Sequence, residues 1–231
     1  MGMGDIRYTV LQTINEVQRK LGLDATSALN SNKLSIQLVD FVNDVCDDLS
    51  DFGNWQETLI SANVTAVSGQ RDYSVSTSAN IKNIGDIYFT LRRGPMRNVT
   101  IDDMRIMTRT SITGTPTQFT IFGTDSNGNP IIRVRPTPAA NEDGELFSLV
   151  YYIRAPHYTT SDAALIVPFP GNIVASGVLA KALLNESGGS PTDHYSLVQQ
   201  EYLSARKESL NRFNGDTGWN VSFAPTRRGR R

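Results

Sequence analysis

The hydrophobic period of this chain changes twice, and this is the strongest constraint on its fold. Apolar residues recur every three or four positions towards both ends of the chain and every second position in its middle. Since the first period is typical of helices and the second of strands, the pattern predicts an α+β fold. We expect a helical bundle built from residues 1–54 and 168–214, a β-rich inserted domain over 55–167, and an extended C-terminal arm over 215–231.

Two amphipathic helices are predicted in the first segment. One pattern runs from Asp5 to a glycine C-cap at Gly22, and the other runs from about Asn32 to Gly53. The apolar stripes consist of Ile6, Val10, Ile14, Val17 and Leu21 in the first helix and of Leu38, Val42, Val45, Leu49 and Phe52 in the second. Each stripe needs a partner, and each helix is the nearest candidate for the other.

A series of β-rich stretches separated by turn sequences follows. They cover residues 57–67, 72–75, 81–91, 116–122, 130–135 and 145–154. The segment from Thr117 to Arg135 predicts a hairpin around Asp125 to Asn129, and Thr100 is expected to cap a short helical turn. Five or six strands of this kind predict a small antiparallel β-barrel or β-sandwich.

The helical period returns after Pro168 and Pro170. The face of the next helix is marked by Ile173, Gly177, Ala180 and Leu184, whose small members permit close approach of a neighbour. Pro191 is suited to open the last helix. The face of that helix is marked by Tyr195, Val198, Tyr202, Ala205 and Phe213. We expect the two helical pairs to form one four-helix bundle, with the β-rich domain inserted between them.

The composition is that of a folded protein with a mildly acidic body. The chain has 231 residues with 39% hydrophobic content, enough to bury a core. Its net charge is −1, and the final 17 residues hold four of the 22 basic but one of the 23 acidic residues, which leaves 18 and 22 in the rest. An acidic body argues against a protein that reads nucleic-acid sequence, whose folded domain would carry a basic face.

Cysteine content and hydropathy argue against disulfide-bonded, membrane-spanning and secreted classes of protein. Cys46 is the only cysteine, so neither an internal disulfide nor a cysteine-based metal site is available within one chain. No apolar run reaches the roughly 18 residues of a membrane-spanning helix, and the N-terminus lacks an apolar signal-peptide core. We therefore expect no membrane insertion and no secretion. We also predict no cofactor.

An acidic stripe lies beside the apolar stripe of the second helix. Its members are Asp40, Asp44, Asp47, Asp48 and Asp51, mostly at spacings of three and four. Three interpretations are open: a solvated helix face, a face that meets a partner or lines a pore, and a site for a hard cation. Since no glycine-bearing Asp-x-Asp loop accompanies the stripe, we predict no metal site.

The sequence predicts no catalytic residues. His157 and His194 are the two histidines, and neither lies near a recognised nucleophile motif such as G-x-S-x-G. Glycine motifs that bind phosphate or dinucleotides are also absent from the sequence. An enzyme, most plausibly a hydrolase that uses an aspartate or His157, is the least favoured class.

The final 17 residues, GDTGWNVSFAPTRRGRR, have the composition of a docking arm. We predict partner-binding roles for Trp219, Val221, Phe223, Arg227, Arg228, Arg230 and Arg231. The alternation of apolar and polar residues suits strand addition to a sheet edge or insertion of aromatic anchors into pockets, while the arginines suit carboxylate partners. A solvated tail and salt-sensitive contact with DNA phosphate are the alternatives.

Three stretches carry a resemblance to a known family. The first is DFVNDVCDDLSDFGNWQ, in which a helix ends in an aromatic turn. The second is IIRVRPTPAANEDGELFSLVYYIRAP, and the third is LIVPFPGNIVASGVLAKALLNESGG followed by HYSLVQQEYLSARKESLNRF. In these features the chain resembles the head-to-tail adaptor, or connector, proteins of tailed bacteriophages, particularly the short-tailed kind called tail tubular protein A.

The resemblance implies a structural virion protein of the phage neck, made in the host cytoplasm. It implies a homo-oligomeric ring of twelve subunits that joins the portal protein to the tail nozzle or tail tube protein. Double-stranded DNA would pass through the lumen of this ring without sequence-specific binding, and the C-terminal segment would extend onto the portal. A β-rich tail module that recognises carbohydrate or protein is the alternative.

Overall fold

Five α-helices and two β-sheets make up the described part of the chain, so the architecture is mixed α+β. The computed structural model describes residues 6–76, 80–107 and 109–216. The chain divides into two units, which we call the helical unit (Met1–Glu57 with His157–Arg231) and the β unit (Thr58–Pro156).

The helical unit contains four of the helices. They are α1 (Val10–Lys20), α2 (Lys33–Phe52), α4 (Gly171–Glu186) and α5 (Asp193–Asp216). α4 contacts α1, α2 and α5, and α1 also contacts α2. α4 is therefore the helix around which the others are arranged.

α1 begins later than the predicted start at Asp5, because Thr9 closes a capping box. The Thr9 hydroxyl accepts from the Gln12 N–H at 3.1 Å, and the Gln12 side-chain oxygen accepts from the Thr9 N–H at 2.9 Å. Before this cap, the Tyr8 and Ile6 carbonyls accept from the Val167 and Gly171 N–H groups instead of forming a helical turn. Ile6, predicted in the helical stripe, is consequently 74% exposed.

α2 has the bounds that its sequence predicts. The Asn32 side chain caps it by accepting from the Ser35 N–H at 2.7 Å, and Gly53 follows its last residue. The predicted apolar stripe is buried except for Phe52, which is 39% exposed. The Arg206 guanidinium lies 3.9 Å from the centre of the Phe52 ring, a cation–π contact that covers part of the ring.

α4 is buried on nearly every side rather than on the single face that the sequence predicts. Among its first ten residues only Asn172 is exposed. A Cβ atom at Gly177 would lie 2.9 Å from a methyl group of Val45 and 2.9 Å from the ring of Tyr202. Glycine therefore permits α2 and α5 to approach α4 at this point.

The described residues of the β unit form seven strands and one α-helix. They are β1 (Leu59–Thr65), β2 (Asp72–Ser74), β3 (Ile81–Phe89), β4 (Arg97–Asn98), α3 (Ile101–Met107), β5 (Gln118–Thr124), β6 (Pro130–Arg135) and β7 (Leu146–Ile153). One sheet has the order β1–β7–β3 and the other has the order β2–β6–β5–β4. As predicted, Thr100 caps α3, its hydroxyl accepting from the Asp103 N–H at 3.1 Å.

Neither sheet closes into a barrel within the described ranges, which corrects one of the two predicted β architectures. Closure requires continuous pairing, and the second sheet ends in β2 and β4, strands of three and two residues. β4 also pairs parallel to β5, unlike the antiparallel arrangement expected. Side chains from both sheets share one buried cluster, with Phe89 and Phe147 from the first and Phe119 and Ile132 from the second.

The β5–β6 hairpin forms where the sequence predicts it, and Asp125 organises its turn. One carboxylate oxygen accepts from the backbone N–H groups of Asn127 and Asn129 at 2.8 and 2.9 Å. The other accepts from the Ser74 hydroxyl at 2.5 Å and from the Asn129 side chain at 3.0 Å. These bonds, first that of Ser74, lower the pKa of Asp125 to about 2.

We expect this turn to loosen in acid. Since the folded-state pKa of Asp125 is lowered from 3.8 to about 2, the carboxylate contributes stability that is present above about pH 4 and lost as the pH falls towards 2. NMR exchange protection of the Asn127 and Asn129 amides should fall over this window. Asp125→Asn should show no such step, and protection in the wild type that stays constant with pH would contradict the expectation.

We also expect Gly177→Ala to destabilise the helical unit. Its methyl group would meet the buried Val45 and Tyr202 side chains, and the overpacking should exceed the gain in helix propensity by about 1 to 2 kcal/mol. Chemical denaturation would measure this loss. Asn172→Ala is the matched control on the exposed side of α4 and should be neutral within about 0.5 kcal/mol. Equal stability of the two variants would contradict the close contact.

Candidate interaction surfaces

The predicted docking arm lies almost wholly outside the described residues. This holds for all its predicted partner-binding members: Trp219, Val221, Phe223, Arg227, Arg228, Arg230 and Arg231. α5 includes Gly215 and Asp216, so the helix runs two residues into the segment predicted to be extended. The arm therefore follows directly from the C-terminal end of α5.

Two aspartates of the acidic stripe form exposed contacts with basic side chains. Asp44 lies 3.2 Å from the Lys181 ammonium group of α4, and Asp47 lies 3.2 Å from the Nε2 atom of His157. Both carboxylates are well exposed, at 58% and 44%. Pairs of this kind contribute little to stability, so these members fit the solvated face that the sequence favours.

Asp48 departs from that expectation, because it connects α2 to α5. Its Oδ2 atom accepts from the Tyr202 hydroxyl at 2.5 Å and from the Arg206 guanidinium at 2.6 Å. The Arg206 side chain is only 15% exposed and stacks on Phe52. Burial raises the pKa of Tyr202, and the bond to Asp48 raises it further. The four side chains form a cluster, which we call the Asp48 cluster, that holds α5 against α2.

The described residues offer little for metal or acid–base chemistry. Within the described ranges no group of three or more His, Cys, Asp or Glu side chains is placed to hold a metal ion. His157 pairs with Asp47, and His194 is exposed at the start of α5. Burial raises the pKa of the Cys46 thiol well above its usual range, which disfavours the reactive thiolate.

No helix in the described part of the chain is both long and apolar enough to cross a bilayer.

An exposed apolar patch lies on the helical unit beside the start of α1. It is made by Ile6, Leu165 and Ile166, which are 74%, 48% and 61% exposed. The two segments are held together by a bridge between Thr9 and Ile166 and by the Val10 N–H, which donates to the Leu165 carbonyl at 3.0 Å. Grouped exposed aliphatic side chains of this kind are typical of protein contact surfaces.

The β unit carries an open cationic cleft with a volume of about 320 Å³. Arg71 and Arg135 line it together with the hydroxyl-bearing residues Thr110, Ser111, Thr113 and Thr137. Within the described residues the Arg135 guanidinium has no hydrogen-bond or ion-pair partner. Arginines beside hydroxyl donors suit a carboxylate or phosphate group.

The acidic character of the body is confined to the helical unit. The β unit contains ten of the 22 basic and eight of the 23 acidic residues, which leaves 12 and 15 in the helical unit, the arm included. The two units therefore carry opposite net charge. Sequence composition averaged over the chain hides this separation.

Comparison with known proteins finds a matching family. The sequence model of the family described as SU10 adaptor protein matches residues 8–229. This match spans residues of both units and almost the whole arm. A search of curated proteins finds no match.

We expect Asp48→Ala to destabilise the chain by about 1 to 2 kcal/mol, because it leaves the Tyr202 hydroxyl and the largely buried Arg206 side chain without their acceptor. Asp44→Ala, on the same helix, is the matched control and should change stability by less than about 0.5 kcal/mol. Urea denaturation followed by circular dichroism measures both. Equal losses would show that the Asp48 cluster does not hold α5.

Proposed function

Since this chain belongs to the SU10 adaptor protein family, whose members are structural phage head-to-tail adaptors, we propose that it forms a ring between the portal and the tail of a bacteriophage virion. The observation that carries this proposal is the extent of the family match, residues 8–229. The family is not one of enzymes, and no catalytic role is proposed. The three stretches that resemble tail tubular protein A support a place in that short-tailed subgroup.

In this proposal the subunits form a closed heterologous ring of twelve copies. Heterologous contacts join two different surfaces, and the two units of this chain offer surfaces of different character. The helical unit presents an apolar patch at Ile6, Leu165 and Ile166. The β unit presents the cationic cleft at Arg71 and Arg135.

The ring would surround part of the DNA channel, with a tail nozzle or tail tube protein on its far side. A conduit for double-stranded DNA functions best when its wall does not hold the duplex, and an acidic wall repels phosphate. The acidic excess of the helical unit and the exposed members of the acidic stripe support this role. DNA would pass without sequence-specific contact.

The C-terminal arm would attach the ring to the portal assembly. Its apolar surface comes from Trp219, Val221 and Phe223. Its cationic groups, which can pair with carboxylates of the partner, come from Arg227, Arg228, Arg230 and Arg231. α5 supports the role because it is held at the Asp48 cluster and runs to Asp216, which gives the arm a fixed starting point.

We expect truncation after Asp216 to leave a folded body but abolish attachment to the portal. The described fold ends with α5 at this residue, so the truncation removes no element of it. Trp219→Ala should weaken attachment by about 2 kcal/mol if this residue is a hot spot. Purified portal rings incubated with each variant and analysed by sedimentation and electron microscopy provide the measurement.

Replacing the four arginines by glutamine is the control for electrostatics. The difference in attachment between the wild type and this variant should diminish as salt rises, because exposed ion pairs are screened within about 10 Å at 0.1 M ionic strength. A truncated chain that decorates the portal normally would refute the role of the arm. Isolated dimers of the chain in virions would refute the ring.

A further inference from the structure

The two sheets of the β unit have four edges, and three of them are protected against pairing with another chain. β2 and β4 are only three and two residues long. β3 is interrupted by two register shifts against β7 and carries Lys82 and Asp86. Short strands, bulges and charged residues are the usual means by which proteins prevent edge-to-edge association.

β1 has none of these protections. Its seven residues, LISANVT, contain no charge and no proline, and their pairing with β7 runs without a register shift. Five of the seven residues are exposed, among them Leu59 at 39% and Ile60 at 37%. A regular, uncharged and exposed edge of this length is a template for an additional strand.

The hydrogen bonds of β1 show which backbone groups are available. The Ala66 N–H donates to the Glu145 carbonyl at 2.7 Å, in the same register as the strand. Since bonded residues alternate along an antiparallel strand, the even-numbered residues of β1 face β7. The N–H and C=O groups of Ser61, Asn63 and Thr65 therefore point to the free edge, where none has a backbone partner among the described residues.

We infer that this edge receives residues 217–223 of the C-terminal arm of a second copy of the chain, an inference that rests on the proposed function. The chain continues for fifteen residues past the end of α5, and the part from Trp219 to Phe223 has the period-two alternation of a strand. Strand addition thus joins neighbouring subunits. Because the pairing uses backbone groups, the Trp219, Val221 and Phe223 side chains, which share one face of the added strand, stay available for the portal.

The charges around β1 favour this occupant. The strand itself carries no cation to repel the arginines. Beyond its end, Asp143 is exposed and accepts from the Ser68 N–H, and Glu145 pairs with Ala66. An arm that runs parallel to β1 places its arginines beside these carboxylates, so pairing weakens as salt rises.

Hydrogen exchange of the full-length, ¹⁵N-labelled chain tests the inference. At low concentration the Ser61, Asn63 and Thr65 amides exchange freely. A synthetic peptide of residues 217–231, or a high concentration of the chain itself, slows these three amides at least about tenfold. The amides of Ile60, Ala62 and Val64 are already bonded to β7 and change little. This alternation distinguishes strand addition from aromatic side chains inserted into pockets.

Two matched controls test the backbone contact directly. Ser61→Pro removes an outward N–H and abolishes peptide binding, whereas Ser61→Ala retains it, since Ser61 has no side-chain hydrogen bond among the described residues. If the proline variant does not fold, the peptide is altered instead. Two peptides are compared, one N-methylated at the odd-numbered and one at the even-numbered backbone nitrogens of 219–223. Only the set of nitrogens that faces β1 donates to it, so one of the two peptides fails to bind and the other binds.

Three results overturn the inference. The first is that the Ser61, Asn63 and Thr65 amides stay unprotected at every concentration of the chain and with excess peptide. Another is protection that is independent of concentration, which means that the chain's own arm covers β1. The third is equal peptide binding by Ser61→Pro and Ser61→Ala. If the peptide does not protect β1 but truncation after Asp216 still abolishes portal attachment, only this inference is refuted. If the peptide does protect β1 but the truncated chain still attaches to the portal, only the proposed portal role of the arm is refuted.

Discussion

The close packing of α4 against α2 and α5 at Gly177 determines how the rest of the helical unit is arranged. No side chain stands between this backbone and the Val45 and Tyr202 side chains, so the helices meet at a distance that any larger residue would increase. Tyr202 is then placed to donate to Asp48, and Arg206, one turn later, lies over Phe52. The same packing fixes α5 and therefore the point from which the arm leaves.

The local elements were predictable because their signals are local. Asn32 and Gly53 bound α2, and the residues around Asp125 form a turn, through bonds between residues close in sequence. The errors came from non-local pairing. Residues 6–9 pair with 166–171 rather than extend α1. β4 exists only because two residues meet β5 across the intervening α3, and no sequence pattern of that length predicts a strand.

The acidic stripe shows the same limit at the level of function. Its spacing on one helix was evident, but its roles depend on partners 110 to 158 residues away in the sequence. Tyr202 and Arg206 lie four residues apart on α5, so they share a face, and this was the available signal for an acidic partner. The arm, in contrast, is predicted from its own sequence alone, from its apolar alternation and its arginines, and nearly all of it lies outside the described residues. The partner-binding roles of its residues remain a prediction.

An unprotected strand edge in a chain that otherwise protects its edges requires a physical reason. In a monomer β1 gains nothing from being uncharged, since a lysine on its exposed face would improve solubility without affecting the β7 pairing. A subunit of an assembly has different requirements, because an edge that is covered after association must remain free of charge and bulges. The separation of charge between the units acts in the same direction: it favours contact between unlike surfaces of neighbouring copies, and like surfaces repel. Contact between unlike surfaces is the kind of contact that the proposed ring requires.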